Sequence, residues 1–132
     1  MLVAAFIGQS GSGKTTLIAA LIRHFVTKGR TVAAIKHTHH ALNTEHRGDT
    51  AVFAEAGADP VILAGDHEAI LFGAERFAYP APAELLARCD TDIVFVEGFK
   101  NVDAWPRIEL DRACPLSVEG ALTILGRIWR AR

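Results

Sequence analysis

Residues 2–17 decide the fold, and they read Leu2-Val3-Ala4-Ala5-Phe6-Ile7-Gly8-Gln9-Ser10-Gly11-Ser12-Gly13-Lys14-Thr15-Thr16-Leu17. The first six residues are continuously apolar, which is typical of a strand buried on both faces, because a strand with one face in water would alternate. From residue 14 to residue 28 the apolar residues recur at helical spacing, and Gly29 stands where a helix can end. We therefore expect an interior strand at 2–7, a glycine-rich turn and a first helix.

The turn between this strand and this helix carries a phosphate-binding pattern. Residues 8–15 match G-x-x-x-x-G-K-[ST] in the context that the pattern requires, after a buried strand and before an amphipathic helix. The backbone N–H groups of such a loop point at phosphate oxygens, Lys14 supplies positive charge, and the Thr15 hydroxyl is a ligand for Mg²⁺. A glycine-rich turn with an exposed lysine is the alternative interpretation. The residues predicted to bind a nucleotide here are Gly8, Ser10, Gly11, Ser12, Gly13, Lys14, Thr15 and Thr16.

Beyond residue 29, apolar strand-like runs alternate with helical patterns, which indicates an α/β fold. We expect a single P-loop NTPase-type domain over residues 1–132, with a mostly parallel, helix-flanked β-sheet. Pro106 cannot donate a hydrogen bond and places the last strand at a sheet edge. The predicted strands are 31–36, 61–64, 69–72, 92–97 and 107–110, and the predicted helices are 49–56, 82–89 and 117–129.

Composition limits the partners of the chain. It has 132 residues, 14 Lys plus Arg against 15 Asp plus Glu, and half of its residues are hydrophobic. This size allows a core without disulfide or metal staples, and the near-neutral charge predicts no binding to nucleic acid or to a membrane surface. The run 2–7 is too short to cross a bilayer and does not continue as a signal peptide. With Cys89 and Cys114 far apart, we expect a cytoplasmic protein with reduced thiols.

Two acidic residues are candidates to complete a Mg²⁺ site with Thr15. Glu97 closes an apolar run, so its carboxylate would lie at the carboxyl end of a strand, where ligands of parallel sheets bind. The alternative for Glu97 is a strand-end ion pair with Lys100. Asp49 is the second candidate, and it is equally placed to be the N-cap of the helix that it opens. The predicted metal ligands are Thr15, Asp49 and Glu97, and the predicted catalytic residues are Lys14 and Glu97.

A third polar cluster, Lys36-His37-Thr38-His39-His40, follows the second strand, with His46 nearby. It should share a sheet edge with the phosphate loop. Structural zinc sites usually combine Cys or a second spaced pair of ligands, and neither is evident, which argues against a dedicated zinc site. A polar rim around a nucleotide or a partner's anionic ligand, with Lys36 and His37 in the lining, is favoured over solvated loop residues.

Several signals of other nucleotide-binding proteins are missing from the sequence. The segment 100–103 contains the residues of an N-K-x-D base-reading segment in the wrong order, so the base cannot be identified from spacing. The arginines are scattered, and no insertion long enough for a lid is evident. An arginine finger cannot be assigned, and we therefore expect slow turnover.

Together, four segments of the chain resemble the MobB family, the P-loop proteins of molybdopterin guanine dinucleotide biosynthesis. The resemblance runs to about residue 110. Two of the segments, K-H-x-H-H and E-G-F-K, are much more specific than the phosphate loop alone. The four segments are residues 8–17, 35–40, 48–58 and 96–109.

The resemblance implies a GTP-binding protein with weak GTPase activity at most, usually a homodimer. It would assist a MobA-type guanylyltransferase in attaching GMP to molybdenum cofactor, and molybdopterin is a further candidate partner. On this basis residues 8–16 would hold the phosphates, Glu97 and Asp49 would serve Mg²⁺, and Lys36, His37 and Lys100 would line the pocket. The apolar face of residues 117–129 is the candidate dimer surface.

The chain departs from the family pattern in two places. Gly48 and Val52 stand where the family commonly has Lys and Arg, and residues 41–45 replace acidic residues. Any anion contact that relatives make at Gly48 and Val52 is therefore in doubt in this chain. Two alternatives to the family function stay open: a small-molecule kinase that uses ATP, and a nucleotide-dependent scaffold that does not hydrolyse.

Overall fold

The strands of the chain pair into one seven-stranded sheet in the computed structural model, which describes residues 1–42 and 48–130. The strands are β1 (Leu2–Gly8), β2 (Val32–His37), β3 (Val61–Ala64), β4 (Glu68–Leu71), β5 (Glu75–Ala78), β6 (Ile93–Glu97) and β7 (Arg107–Leu110). Their order across the sheet is β5-β4-β3-β2-β6-β1-β7. The α/β prediction is confirmed.

Helices cover both faces of this sheet. They are α1 (Lys14–Thr27), α2 (Asp49–Ala56), α3 (Pro82–Leu86) and α4 (Val118–Arg130). None of the helices in the described ranges is both long enough and apolar enough to cross a membrane.

Strand directions agree with a mostly parallel sheet. The pairings β3–β2, β2–β6, β6–β1 and β1–β7 are parallel, whereas β4 pairs antiparallel with both β3 and β5. β1 lies between β6 and β7, so the prediction of an interior first strand is confirmed. β7 is at the edge, as Pro106 indicated. Parallel neighbours bring the ends of β1, β2 and β6 to one edge of the sheet.

Two elements differ from the prediction. β5 was not predicted, because its sequence ERFA has no apolar alternation and its side chains are mostly exposed. It is held instead by pairing with β4, including the contact between Arg76 and Glu68. α3 ends at Leu86 rather than at residue 89, because the backbone continues in single turns in which Cys89 N–H donates to the Leu86 carbonyl oxygen.

Residues of the interior strands alternate between two hydrophobic clusters. Ala4 and Phe6 pack with α1, α2 and α4, whereas Ala5 packs in the second cluster, on the opposite face. Both faces are dry, and this explains the continuous apolar runs. Phe95 in β6 is fully buried, and alanines, Ala4 and Ala34, stand opposite it on the two neighbouring strands.

The apolar face of α4 packs against the chain's own core. Ala121 and Leu125 are buried, and Trp129 Nε1 donates to the Val3 carbonyl oxygen at 3.2 Å. The helix prediction is confirmed. The face is covered within the chain, however, so it is not the free dimer surface that the sequence suggested.

The two cysteines are both free. Cys89 is buried, and this burial raises the pKa of its thiol to about 12, whereas Cys114 is exposed. Cys89 is therefore a protonated core residue at neutral pH.

Candidate functional site

The phosphate loop, residues 8–15, joins β1 to α1 as the sequence predicts. Gly13 adopts a left-handed backbone conformation (φ 92°) immediately before Lys14 begins α1, a conformation that glycine adopts without steric cost. The Lys14 ammonium folds over the loop and donates to the carbonyl oxygens of Gly8 at 2.6 Å and Gln9 at 3.2 Å. The positive charge therefore lies on the loop itself.

Gly8 is required by a close approach of the neighbouring edge strand. It is the last residue of β1 and stands opposite Leu110 of β7. A Cβ atom at residue 8 would lie only 2.5 Å from the Leu110 carbonyl oxygen, and φ is 152° there. A side chain at this position would push the loop away from β7.

Glu97 lies directly beside the phosphate loop. Its side chain is 4% exposed, and Thr15 Oγ1 donates to its Oε1 at 3.0 Å. Its Oε2 is 3.2 Å from Lys36 Nζ, yet among the described residues this buried oxygen accepts no hydrogen bond of acceptable geometry. Its charge partner in this part of the structure is the Lys36 ammonium, and the oxygen has acceptor capacity left for a further donor or cation.

Lys36 connects the two acidic residues. Its Nζ donates to Asp49 Oδ2 at 2.6 Å while it faces Glu97. Burial by itself lowers the pKa of Lys36, but the hydrogen bond to Asp49 and the charge of Glu97 outweigh it, so the pKa is raised. The ammonium therefore stays charged and offsets two carboxylates.

Both alternatives for the acidic residues are wrong. Glu97 pairs with Lys36, on the neighbouring strand, instead of Lys100. Asp49 is the first residue within α2, Gly48 occupies the N-cap position without a side-chain cap, and the Asp49 carboxylate is bonded to Lys36. Asp49 and Glu97 both line one cavity with Thr15.

Two cavities adjoin at Lys14, Lys36 and Glu97. The first, of about 390 Å³, is lined by the loop, the first turn of α1 and Asp49, and the second, of about 350 Å³, extends over the ends of β2 and β6. Of the predicted nucleotide-binding residues, the first cavity collects Ser10, Gly11, Gly13, Lys14, Thr15, Thr16 and Lys36, and the second collects Gly8, Lys14, Lys36, His37 and Lys100. Ser12 lines neither cavity. It is buried, and its Oγ has no hydrogen-bond partner in the described ranges.

Only part of the histidine segment 37–40 lines a cavity. His37 and His39 line the second cavity, whereas His40 is exposed and is not part of the lining. His46 and residues 43–45 lie outside the described ranges.

A family model matches most of the chain. Residues 3–121 match MobB, described as molybdopterin guanine dinucleotide synthesis protein B. The chain belongs to the MobB family.

Curated relatives agree with this MobB assignment. The chain is 40% identical over 111 residues to a protein named molybdopterin-guanine dinucleotide biosynthesis adapter protein from Haemophilus influenzae, covering 80% of this chain and 60% of the relative. It is 36% identical over 102 residues to the protein of the same name from Escherichia coli, covering 74% and 58%. A putative adapter protein from Methanocaldococcus jannaschii is 35% identical over 102 residues, covering 76% and 42%. The chain thus spans less than two thirds of the length of these relatives.

Sequence reasoning missed three residues of this MobB-family site. Arg112 Nε donates to the Ser10 carbonyl oxygen at 2.8 Å, so a guanidinium from beyond β7 lies against the phosphate loop. Asp66 and Phe99 line the second cavity. Arg112 and Asp66 carry no motif, and only the strand order brings them to the site. For Phe99, the available signal was its place in the E-G-F-K segment, between Glu97 and Lys100.

Proposed function

We propose that this chain binds GTP with Mg²⁺ and acts as an adapter in molybdopterin guanine dinucleotide synthesis. The observation that carries the nucleotide site is the contact between Thr15 Oγ1 and the buried Glu97 carboxylate, at a loop already covered by the Lys14 ammonium. The adapter role and the guanine base are supported by the family and by the relatives' names.

Each part of the site has a proposed task. The backbone N–H groups of residues 8–16 and Lys14 hold the phosphates, because loop dipoles and an ammonium both favour negative charge. Thr15, Asp49 and Glu97 offer the oxygen ligands that Mg²⁺ prefers, and all three line the first cavity. The lining residues of the second cavity that contact the rest of the nucleotide are Lys36, His37 and Lys100.

Hydrolysis by this site is proposed to be slow. Water would attack the γ phosphate in line, Lys14 would offset the charge that develops, and Glu97 would orient the site through Thr15. An arginine that contacts the transferring group is worth several orders of magnitude in rate. Arg112 donates to the Ser10 carbonyl oxygen and lines neither cavity, so it is not placed to contact the transferring group.

The proposed partner is a MobA-type guanylyltransferase in the cytoplasm, with molybdopterin as a further ligand and a second copy of the chain in a homodimer. These proposals rest on the family, and no free apolar face of α4 supports the dimer. A monomeric mass by light scattering at micromolar concentration would contradict the homodimer.

The proposal is tested with the purified full chain, Mg²⁺ and radiolabelled GTP or ATP. We expect tighter binding of GTP than of ATP and phosphate release at roughly 10⁻² per second or slower. Addition of the chain to a MobA-type guanylyltransferase with molybdopterin should raise the yield of the dinucleotide. Failure to bind either nucleotide would contradict the nucleotide site. Rapid phosphoryl transfer to a small acceptor would instead indicate a kinase.

Replacing Glu97 by glutamine should selectively weaken the effect of Mg²⁺. The amide keeps a partner for Thr15 but removes the negative charge, so we expect the gain in GTP affinity on adding Mg²⁺ to fall roughly tenfold, the scale of one charged hydrogen bond. GTP affinity without Mg²⁺ should change little. Calorimetric titration with and without Mg²⁺ measures both quantities.

The matched control for this variant is Glu109→Gln. Glu109 is exposed on β7 and lines neither cavity. It should leave the Mg²⁺ effect unchanged, and an unchanged Mg²⁺ effect in Glu97→Gln as well would remove Glu97 from the metal site.

A further inference from the structure

A cluster of three metal-ligating side chains lies beside the proposed nucleotide site, and the proposed Mg²⁺ site uses none of them. His37 ends β2, His39 follows it, and Asp66 lies in the turn between β3 and β4. They meet because β2 and β3 are parallel neighbours with His37 opposite Ala64, and Thr38 N–H donates to the Ala64 carbonyl oxygen at 2.9 Å. The sequence argued against a zinc site because neither Cys nor a second spaced pair of ligands was evident, whereas the fold brings a carboxylate from 29 residues away.

The spacing of the ligand atoms suits one metal ion. Asp66 Oδ1 lies 3.2 Å from His37 Nε2 and 3.1 Å from His39 Nδ1, and the three ligand atoms lie within 4.8 Å of one another. Two ligands bound at roughly 2.0 to 2.1 Å from the same zinc ion are roughly 2.9 to 3.4 Å apart, depending on the coordination angle. Both distances to Asp66 Oδ1 fall within this range, and the two imidazole nitrogens lie beside the same carboxylate oxygen.

The imidazole of His37 is held in place by aromatic packing. The Phe99 ring stacks on it at 4.2 Å with an interplanar angle of 27°. Phe99 itself has a left-handed backbone (φ 59°), which is uncommon and strained for a residue other than glycine. Strain of this kind persists where the surrounding structure holds it, and here it places a ring against a candidate ligand.

We propose that His37, His39 and Asp66 bind a divalent transition-metal ion of the zinc type. Imidazole nitrogens with one carboxylate suit zinc and its neighbours, whereas Mg²⁺ takes oxygen ligands, so the two metal sites select different ions. Three protein ligands leave a position open for water or another ligand. All three residues line the second cavity, together with Lys14 and Lys36, so this open position belongs to a cavity suited to anionic groups.

The alternative is a set of hydrogen bonds alone, in which both imidazoles donate to Asp66 Oδ1. His39 and Asp66 are 72% and 53% exposed, so such bonds would contribute little to stability. The two interpretations differ in one measurable property, namely whether the chain without nucleotide takes up one equivalent of metal ion at these residues.

The experiment titrates Co²⁺ and Zn²⁺ into the untagged, metal-free full chain carrying Cys114→Ser, which removes the exposed thiol. Co²⁺ is followed by its visible absorption and Zn²⁺ by calorimetry, at pH 7 without nucleotide and with Mg²⁺ in excess. We expect one equivalent of each ion to bind. The affinity for both metal ions should fall by roughly tenfold or more in His39→Ala and in Asp66→Ala. Loss of a residue that only hydrogen-bonds to a metal ligand already changes metal affinity on this scale.

The matched control is His40→Ala, one residue from His39 and exposed but outside the cluster. It should bind both ions as the parent does, and circular dichroism should show that all variants are folded. The proposal would be overturned if the parent showed no Co²⁺ absorption. It would also be overturned if His39→Ala and Asp66→Ala bound the metal ions as tightly as the parent and His40→Ala do. Neither result would bear on GTP binding, which is measured separately.

Discussion

Replacing Lys14 by alanine should reduce the affinity for GTP by roughly 10- to 100-fold while the chain stays folded. The reduction corresponds to one or two hydrogen bonds from an ammonium to phosphate. Within residues 1–42 and 48–130, its Nζ donates only to two carbonyl oxygens of the loop. Water can satisfy both after the replacement, so the free energy of unfolding should change by no more than about 1 kcal/mol. Calorimetry with GTP and Mg²⁺ measures the first quantity, and urea unfolding measures the second.

Lys28→Ala is the matched control for Lys14→Ala. Lys28 is exposed at the opposite end of α1 from the loop and lines neither cavity. Its replacement removes the same charge and should leave GTP affinity within twofold. If Lys14→Ala binds GTP as tightly as Lys28→Ala does, the phosphate-binding role of Lys14 is excluded.

Replacing Phe95 by alanine should lower the free energy of unfolding by about 3 to 5 kcal/mol. The ring is fully buried and contacts Phe6 edge-to-face, with Phe25 and Trp129 also within 6.3 Å between ring centroids. Its neighbours across the sheet are alanines, which are too small to fill the space that the ring leaves. Urea unfolding followed by circular dichroism provides the measurement.

The control for the core prediction is Phe77→Ala. Phe77 lies on the mostly exposed strand β5, where its ring carries the guanidinium of Arg88 at 3.9 Å. The Phe77 ring is half-buried, so its loss removes less buried area than the loss of Phe95, together with one cation–π contact, and a clearly smaller effect is expected. Equal losses for Phe77→Ala and Phe95→Ala would show that the ring does not fill the core as described.

The sequence predicted the phosphate-loop side of the molecule well. The apolar run 2–7 identified an interior strand because both faces of that strand are dry, and the run before Glu97 identified another such strand for the same reason. Parallel strands end at a common edge, so the position of Glu97 beside the loop followed from its place at a strand end. These inferences use only local patterns.

The remaining features depend on partners that are distant in the sequence. β5 has no apolar alternation, and it is stabilised by antiparallel pairing with β4. Asp49 was assigned equally to a cap and to a metal ligand, and only its contact with Lys36 excluded the cap. Asp66 and Arg112 reach the site through the order of the strands, and no spacing in the sequence encodes that order.

The position of β1 between β6 and β7 also has a consequence for synthesis of the protein. The phosphate loop is translated before both strands that flank β1, because these strands come from residues 93–110. Its Glu97 contact and the Leu110 carbonyl oxygen beside Gly8 are therefore absent until most of the chain has been made. The loop is thus translated before the strands that complete its site, and a nucleotide cannot use the finished site to guide folding of the nascent chain.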